Sequence, residues 1–232
     1  MSNHKKEYII ETFESGPMDN MIYLIVDVET KNCAIVDPAW DLNEIYKYIE
    51  KYNLKLTKIL LTHSHNDHVN ALDEILRNYD LPIHINTHEK KFWGKKYNNY
   101  EINYGGDTIS LGKSELKSIH SPGHTPGSTC YLIDNKLIAG DTLFVFGCGR
   151  CDLHGGNPED MFKTLNHMKF DLGEDTLILP GHNYSIRKTS TMKDEILYNP
   201  FFHFKKLEDF VKYRMITHDK TRSSPYGPMP KS

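Results

Sequence analysis

The sequence predicts an α/β protein (α+β in its mixture of segments), and three observations predict it. Short apolar runs recur along the chain, each closed by a polar or Gly/Pro-rich turn. Between them lie stretches with apolar residues at helical spacing, of which Leu42, Ile45, Tyr46 and Ile49 are the clearest. The run Thr62-His63-Ser64-His65-Asn66-Asp67-His68 follows one apolar run and precedes one helical stretch. Such strand-to-helix turns are where α/β proteins usually keep their chemistry.

In chain order, residues 8–15 and 21–28 read as two strands joined at Gly16-Pro17. Asp27 to Asn32 is a polar turn and Cys33 to Val36 a third strand, an antiparallel meander that leaves the sheet at Asp37-Pro38. Leu42 to Tyr52 is an amphipathic helix with Asp41 as N-cap. Thr57 to Leu61 is a buried strand, and Val69, Leu72, Leu76 and Tyr79 space out a helix from Val69 to Tyr79. Leu81 to Ile85 is a short strand. Lys90 to Tyr100 mixes bases and aromatics, which fits a surface helix with one buried face better than nucleic-acid recognition. Gly105-Gly106-Asp107 is a turn. Residues 115–120 and 128–140 supply further strands, with a hairpin turn at Asn135-Lys136. Asn157 caps a helix with Pro158 at its first position and Met161, Leu165 and Met168 on its buried side. Two last helices, Thr191 to Leu197 and His203 to Tyr213, are broken by Asn199-Pro200. Phe201, Phe202 and Phe204 either line a substrate channel or join the core. Residues 1–214 are expected to form one domain and 215–232 a flexible, disordered tail rich in proline.

A chain of 232 residues with 38% hydrophobic content suits one domain with a real core. The net charge of −3 argues against nucleic acid as the main partner, which needs an excess of Lys and Arg. No run of about 18 apolar residues is present, so no membrane span is expected. The start, Met1 to Glu7, leads into no apolar stretch of signal-peptide length, so the expected location is cytoplasmic. Four cysteines are too few for a disulfide framework. Cys33 and Cys130 read as core. Cys148 and Cys151 form a C-x-x-C, which taken alone suggests redox chemistry or zinc, although a structural zinc needs further ligands beside them.

Imidazole and carboxylate are the usual ligands of zinc and related metals. In an extended stretch His63 and His65 point to one side, and the turn after them aims Asp67 and His68 elsewhere. One segment can thus feed two metals. Three more candidates close strand-like runs, each just after a glycine: His124, Asp141 and His182. Five histidines and two aspartates are enough for two sites that share one carboxylate.

These motifs, Thr-His-x-His-x-Asp-His, Gly-His-Thr-Pro-Gly, Gly-Asp-Thr-Leu-Phe and Pro-Gly-His in that order, resemble the metallo-β-lactamase superfamily. The match covers about residues 8 to 200. Gly140 to Phe144 with Gly147-Cys148-Gly149-Arg150, and Gly181 to Tyr184, resemble its glyoxalase II-like, hydroxyacylglutathione hydrolase branch. Glu11 to Asn20 is similar to the zinc hydrolases of bacterial polyketide gene clusters. The resemblance implies a four-layer αββα sandwich. It implies one metal held by His63, His65 and His124, another by Asp67, His68 and His182, and Asp141 between them. Asp37 becomes an acceptor that holds the ligand loop. Arg150 and Tyr184 match groups that grip a thiol carrier, although Asp152 stands where the family carries a tyrosine. Only 50 residues follow His182, short of the helical domain with which that branch binds glutathione.

The activity implied is hydrolysis of acyl thioesters on glutathione, coenzyme A or an acyl-carrier protein, by a hydroxide bridging two zinc ions. Iron or manganese can replace zinc in such a site. Asp67 binds metal and orients the water. Two alternatives stand beside this: a mononuclear iron persulfide dioxygenase, which shares most of the motif, and a non-catalytic module with zinc as a staple.

Overall fold

The computed structural model describes residues 7–230. The expectations placed on the first six residues and on Lys231 lie outside the described residues. The chain opens with the meander β1 (Tyr8–Ser15), β2 (Asn20–Asp27) and β3 (Asn32–Val36). Helix α1 (Asn43–Lys51) crosses to β4 (Lys55–Leu60), parallel to β3. Two short helices, α2 (Asn66–Val69) and α3 (Leu72–Asn78), lead to β5 (Ile83–Asn86). Helix α4 (Thr87–Trp93) and β6 (Tyr100–Asn103) complete a sheet ordered β1-β2-β3-β4-β5-β6. The second half supplies β7 (Thr108–Leu111), β8 (Ser114–His120), β9 (Thr129–Ile133) and β10 (Lys136–Gly140). A small hairpin, β11 (Leu143–Phe144) and β12 (Gly147–Cys148), precedes α5 (Pro158–Asp171), β13 (Leu177–Pro180) and β14 (Ser190–Thr191). This second sheet runs β14-β13-β10-β9-β8-β7. Helices α6 (Met192–Tyr198), α7 (Leu207–Lys212) and α8 (His218–Thr221) follow, the last two joined by a wide π-type turn.

Three apolar layers show that the stacking is αββα, as expected. Between the sheets, Tyr23, Ile25, Val36 and Leu60 face Leu111, Leu116, Tyr131 and Ile138. Successive residues of a strand point to opposite faces. So Ile22, Leu24 and Ile35 turn outward, where Ile45 and Ile49 of α1 and Leu72 and Ile75 of α3 cover them. Beyond the second sheet, Leu137, Ala139 and Ile178 meet Met161, Leu165 and Met168 of α5. A strand buried on both faces needs a continuous apolar run, and Met21 to Val26 is one. Truncating Leu24 or Ile35 to alanine there would cost about 2–5 kcal/mol.

Several boundaries differ from the expectation, each for a local reason. The helix expected from Val69 begins at Asn66 and breaks at Asn70-Ala71. There the Ala71 N–H donates to Pro38 O and the Trp40 N–H to Asn70 Oδ1, which ties the helix to the loop after β3. Asp41 does accept from Asn43 N, but from one position outside the helix. The helix expected over Lys90 to Tyr100 stops at Trp93, because Gly94 turns left-handed (φ +70°) and Tyr100 already belongs to β6. The β9–β10 turn is Asp134-Asn135, with Asp134 at φ +49°. Phe201 and Phe202 are core residues, with Phe204 packed beside them.

The expected flexible tail is also corrected. The Tyr226 N–H donates to Tyr184 O, and Tyr226 O accepts from Ile186 N and Ser185 Oγ. Tyr226 is buried, and the proposed boundary after residue 214 falls inside a packed segment. The buried Arg214 donates there to both oxygens of Asp219 at 2.7 Å.

Candidate functional site

All seven sequence-predicted ligands meet at one edge of the sandwich. His63, His65, Asp67 and His68 follow β4, and His124, Asp141 and His182 follow β8, β10 and β13. Strands β8, β10 and β13 run in one direction, since β9 is antiparallel to β8 and β10 while β13 is parallel to β10. Their C-terminal ends therefore share an edge. Glycine is required where these loops crowd. Gly140 sits at φ +49° with Thr62 Oγ1 where a Cβ would go, and a Cβ on Gly181 would strike Asp141 Oδ1.

The hydrogen bonds assign the imidazole tautomers. His124 Nδ1 lies 2.7 Å from Arg150 O, and His182 Nδ1 lies 2.7 Å from Met18 O. A carbonyl only accepts, so both Nδ1 atoms carry the proton. His68 Nδ1 donates likewise to Asp37 Oδ2 at 3.0 Å. Thr62 Oγ1 gives its proton to Asp37 Oδ2, so at 3.0 Å it accepts the Nδ1–H of His63. Every one of these rings thus turns an Nε2 lone pair inward. His63 Nε2 is buried with no hydrogen-bond partner. His65 Nδ1 faces His124 Nε2 at 2.8 Å, and His68 Nε2 faces His182 Nε2 at 3.1 Å. In the second pair both Nε2 atoms present lone pairs, which repel at this distance unless a proton or a metal cation lies between or beside them.

The donor atoms fall into the two expected sets, His63, His65 and His124, and Asp67, His68 and His182, each gathered within 4.8 Å. Asp141 stands between them. Its Oδ1 lies 3.3 Å from His68 Nε2, and its Oδ2 lies 3.5 Å from His124 Nε2 and 3.4 Å from His182 Nε2. Asp141 Oδ1 makes no hydrogen bond although it is buried. Orphaned nitrogen and carboxylate atoms of this kind fit first-row metals, with three neutral imidazoles on one side and a mixed set on the other. Asp37 also lies near His63 and His68, but Thr62 and His68 already occupy its oxygens.

Protonation follows the same pattern. Burial keeps His63 neutral, well below the usual histidine range, and pushes His124 down to about 4. Burial opposes charge on His68 too, yet Asp141 and Asp37 outweigh it and push that ring well above its ordinary value. Asp141 is raised by burial, but His182 and His68 outweigh burial and hold it well below the carboxylate range. With only side chains to share the charge, a proton takes the place that a cation would fill.

Asp37 holds the loop as expected. Its carboxylate accepts from Thr62 N at 2.7 Å, Thr62 Oγ1 and His68 Nδ1. It reaches them from a left-handed backbone (φ +51°), which aspartate tolerates better than most residues. Two residues that hold the donor loops were not foreseen. Asn20 donates to Asp67 O and Oδ2 at 3.0 and 3.1 Å while accepting from Trp40 Nε1 at 2.7 Å. Glu89, in the first turn of α4, accepts from Ser64 and from the loop after His124. The usable signal was topological: β4 and β5 are parallel neighbours, so the helix after β5 starts beside the histidine loop.

A cavity of about 820 Å³ opens over the cluster, lined by Phe144, Tyr184, Tyr226, Leu153 and Arg222 among others. Tyr184 stacks on His182 at 4.5 Å. Arg150 lines it as well, but its guanidinium is engaged by Asp152 at 3.0 and 2.7 Å, and Arg150 holds Asp152 down to about 2. The structure thus places its carbonyl on His124 rather than a free cation in the cavity. Cys148 lines the wall, buried, with burial pushing its thiol up to about 12. That suits neither redox chemistry nor ligation, and among the described residues no cysteine belongs to a ligand group.

Facing sheets between helices, with paired His/Asp sets at one edge, define a metal-site protein of αββα architecture. The chain belongs to the metallo-beta-lactamase superfamily, whose sequence model matches residues 15–182. It is 34% identical over 195 residues to a Bacillus velezensis protein named as the probable polyketide biosynthesis zinc-dependent hydrolase BaeB, covering 84% of this chain and 87% of that one. It is 36% identical over 168 residues to the hydroxyacylglutathione hydrolase of Buchnera aphidicola, covering 72% of this chain and 64% of that one. The crystal structure of ETHE1 from Myxococcus xanthus superposes with a TM-score of 0.82 at 26% identity, over 90% of this chain and 91% of that one. No helix among the described residues is long and apolar enough to cross a membrane.

Proposed function

We propose that this chain is a metal-dependent hydrolase that cleaves acyl thioesters to a carboxylic acid and a free thiol. The observation that carries the reading is the pair of inward-turned donor sets sharing Asp141 on the floor of an open cavity. Zinc, two ions per chain, is the proposed metal, given the zinc-dependent hydrolase among the relatives. Bound there, metal supplies Lewis acidity and lowers the pKa of water to roughly 7.

The chain's own residues do the rest. Asp67, fixed by Asn20 and facing the cavity, orients the attacking water and takes its proton. His124 and His182 keep their orientation through the carbonyls of Arg150 and Met18. Phe144, Tyr184 and Tyr226 offer an apolar wall to the acyl group or the carrier arm. The thiol leaves without strong acid assistance, since an ordinary thiol has a pKa of about 8.5. The partner is a small-molecule or carrier-protein thioester, on glutathione, coenzyme A or an acyl-carrier protein. Arg150, paired as it is, and Tyr184 flank the carrier's path. A role in polyketide biosynthesis follows the relative's name, and the proposed location is the cytoplasm.

Metal analysis of protein purified without added metal, run beside thiol release from the three carrier classes, tests this. Two zinc per chain with thiol release supports it, and the preferred carrier names the substrate. One iron per chain, with oxygen uptake on a persulfide and no thioester cleavage, replaces it with the dioxygenase reading.

A further inference from the structure

We infer that Glu89 is the positioning residue of the three-histidine half of the centre, clamping both loops that carry its ligands. The inference rests on the metal reading above. Glu89 is 1% exposed. Its Oε1 accepts from Ser64 N at 2.8 Å and Ser64 Oγ at 2.6 Å, and Ser64 lies between His63 and His65. Its Oε2 accepts from Thr125 Oγ1 at 2.7 Å and Gly127 N at 3.0 Å, and Thr125 directly follows His124. One carboxylate thus takes four hydrogen bonds, two from each loop, from segments about 60 residues apart in sequence.

The clamp is built for close approach. A Cβ on Gly127 would collide with the backbone nitrogen of Glu89, so the loop lies directly against the first turn of α4. Thr125 Oγ1 is also 2.7 Å from Ser128 Oγ, which passes the constraint on into the turn. None of the four bonds touches an imidazole. Glu89 acts on where the loops stand, and through them on the 2.8 Å approach of His65 Nδ1 to His124 Nε2. Its charge bears on the same place. Three neutral imidazoles bring no negative charge to their half, whereas the other half contains Asp67. Glu89 is a buried carboxylate, held at the back of this half by the two ligand loops. Groups that orient metal ligands typically matter 10–100-fold in affinity.

The test is a competitive chelator titration of the zinc-loaded full chain, wild type against Glu89→Gln and Glu89→Asp, with melting temperature of the metal-free forms read alongside. Glutamine keeps the volume but offers one acceptor oxygen, so one loop loses its anchor. The expected result is two dissociation steps in the wild type, with one of them weakened roughly 10–100-fold in Glu89→Gln. The other step should move by less than about threefold, and Glu89→Asp should recover part of the loss. If Glu89→Gln lowers the metal-free melting temperature while both steps stay at wild-type affinity, the residue is structural and the inference is overturned. A wild type that binds fewer than two metals overturns the binuclear reading itself, and the inference with it.

Discussion

In one half of the centre Asp37 takes the N–H and hydroxyl of Thr62 and the Nδ1–H of His68. In the other, Glu89 takes two bonds from Ser64 and two from the loop after His124, and no imidazole. Both carboxylates are buried. One grips a ligand ring directly and so fixes its tautomer. The other grips only the loops, leaving His63 to Thr62 and His124 to the Arg150 carbonyl. The difference teaches that a set of donor side chains can be oriented ring by ring or loop by loop.

The most severe way to break the comparison is to remove what the halves share. Asp141→Asn should abolish both halves together, with loss of the proposed thioester hydrolysis of about a thousand-fold or more, the scale of losing a principal stabilising group. Steady-state thiol release and metal content check it, and retention of one tightly held metal would show that the halves are independent. Next in size, Asp37→Asn should weaken metal binding roughly 10–100-fold in the half containing His68, the mirror of the Glu89 variant. Chelator titration of the double variant, with both steps weakened additively, would confirm two separate clamps.

A third buried carboxyl sharpens the contrast from outside the site. Glu195 accepts from Phe146 N, Ser190 Oγ and Asn199 Nδ2, yet burial outweighs those donors and pushes its pKa from 4.5 up to about 7. A carboxyl raised on folding binds more protons in the native state. Its stabilisation is therefore present below about pH 4.5 and is lost as pH rises through about 7. Urea unfolding of metal-stripped protein should show Glu195→Gln gaining about 2–3 kcal/mol on the wild type between pH 4.5 and 7.5. A pH-independent gap would mean the group stays charged on folding. The smallest effect belongs to the rim. Arg222, over the Tyr226 ring at 5.0 Å and 3.9 Å from Asp219, is partly exposed. Arg222→Ala should raise KM for an anionic carrier by about two- to fivefold at low salt, the scale of an exposed charge contact, with kcat and metal content unchanged.

The residues of the two donor sets were legible because they follow strand-like runs, and Gly123, Gly140 and Gly181 directly precede His124, Asp141 and His182. Those are local signals. Asp37 was legible for a similar reason, standing at the end of β3. Glu89 was not, since an acid in a helix's first turn ordinarily answers the helix dipole, and only the parallel pairing of β4 and β5 brings it to the histidines. Asn20 belongs to a strand that pairs nowhere near Asp67 in sequence, and its role exists only once the loops meet. The segment after residue 214 read as a tail from its prolines and polarity. Its order rests on a few long-range contacts, chiefly Tyr226 with Tyr184 and Phe144, which composition does not carry.

That segment has a consequence for how such a protein changes over generations. Tyr226 seats over Gly147, where any side chain would meet its ring, and forms one wall of the cavity. It belongs to neither large sheet, and its backbone ties are to Tyr184, Ser185 and Ile186. Insertions or replacements there would remodel the wall without shifting a strand or a metal-facing loop. Substrate choice can drift in this segment while the chemistry stays under selection elsewhere.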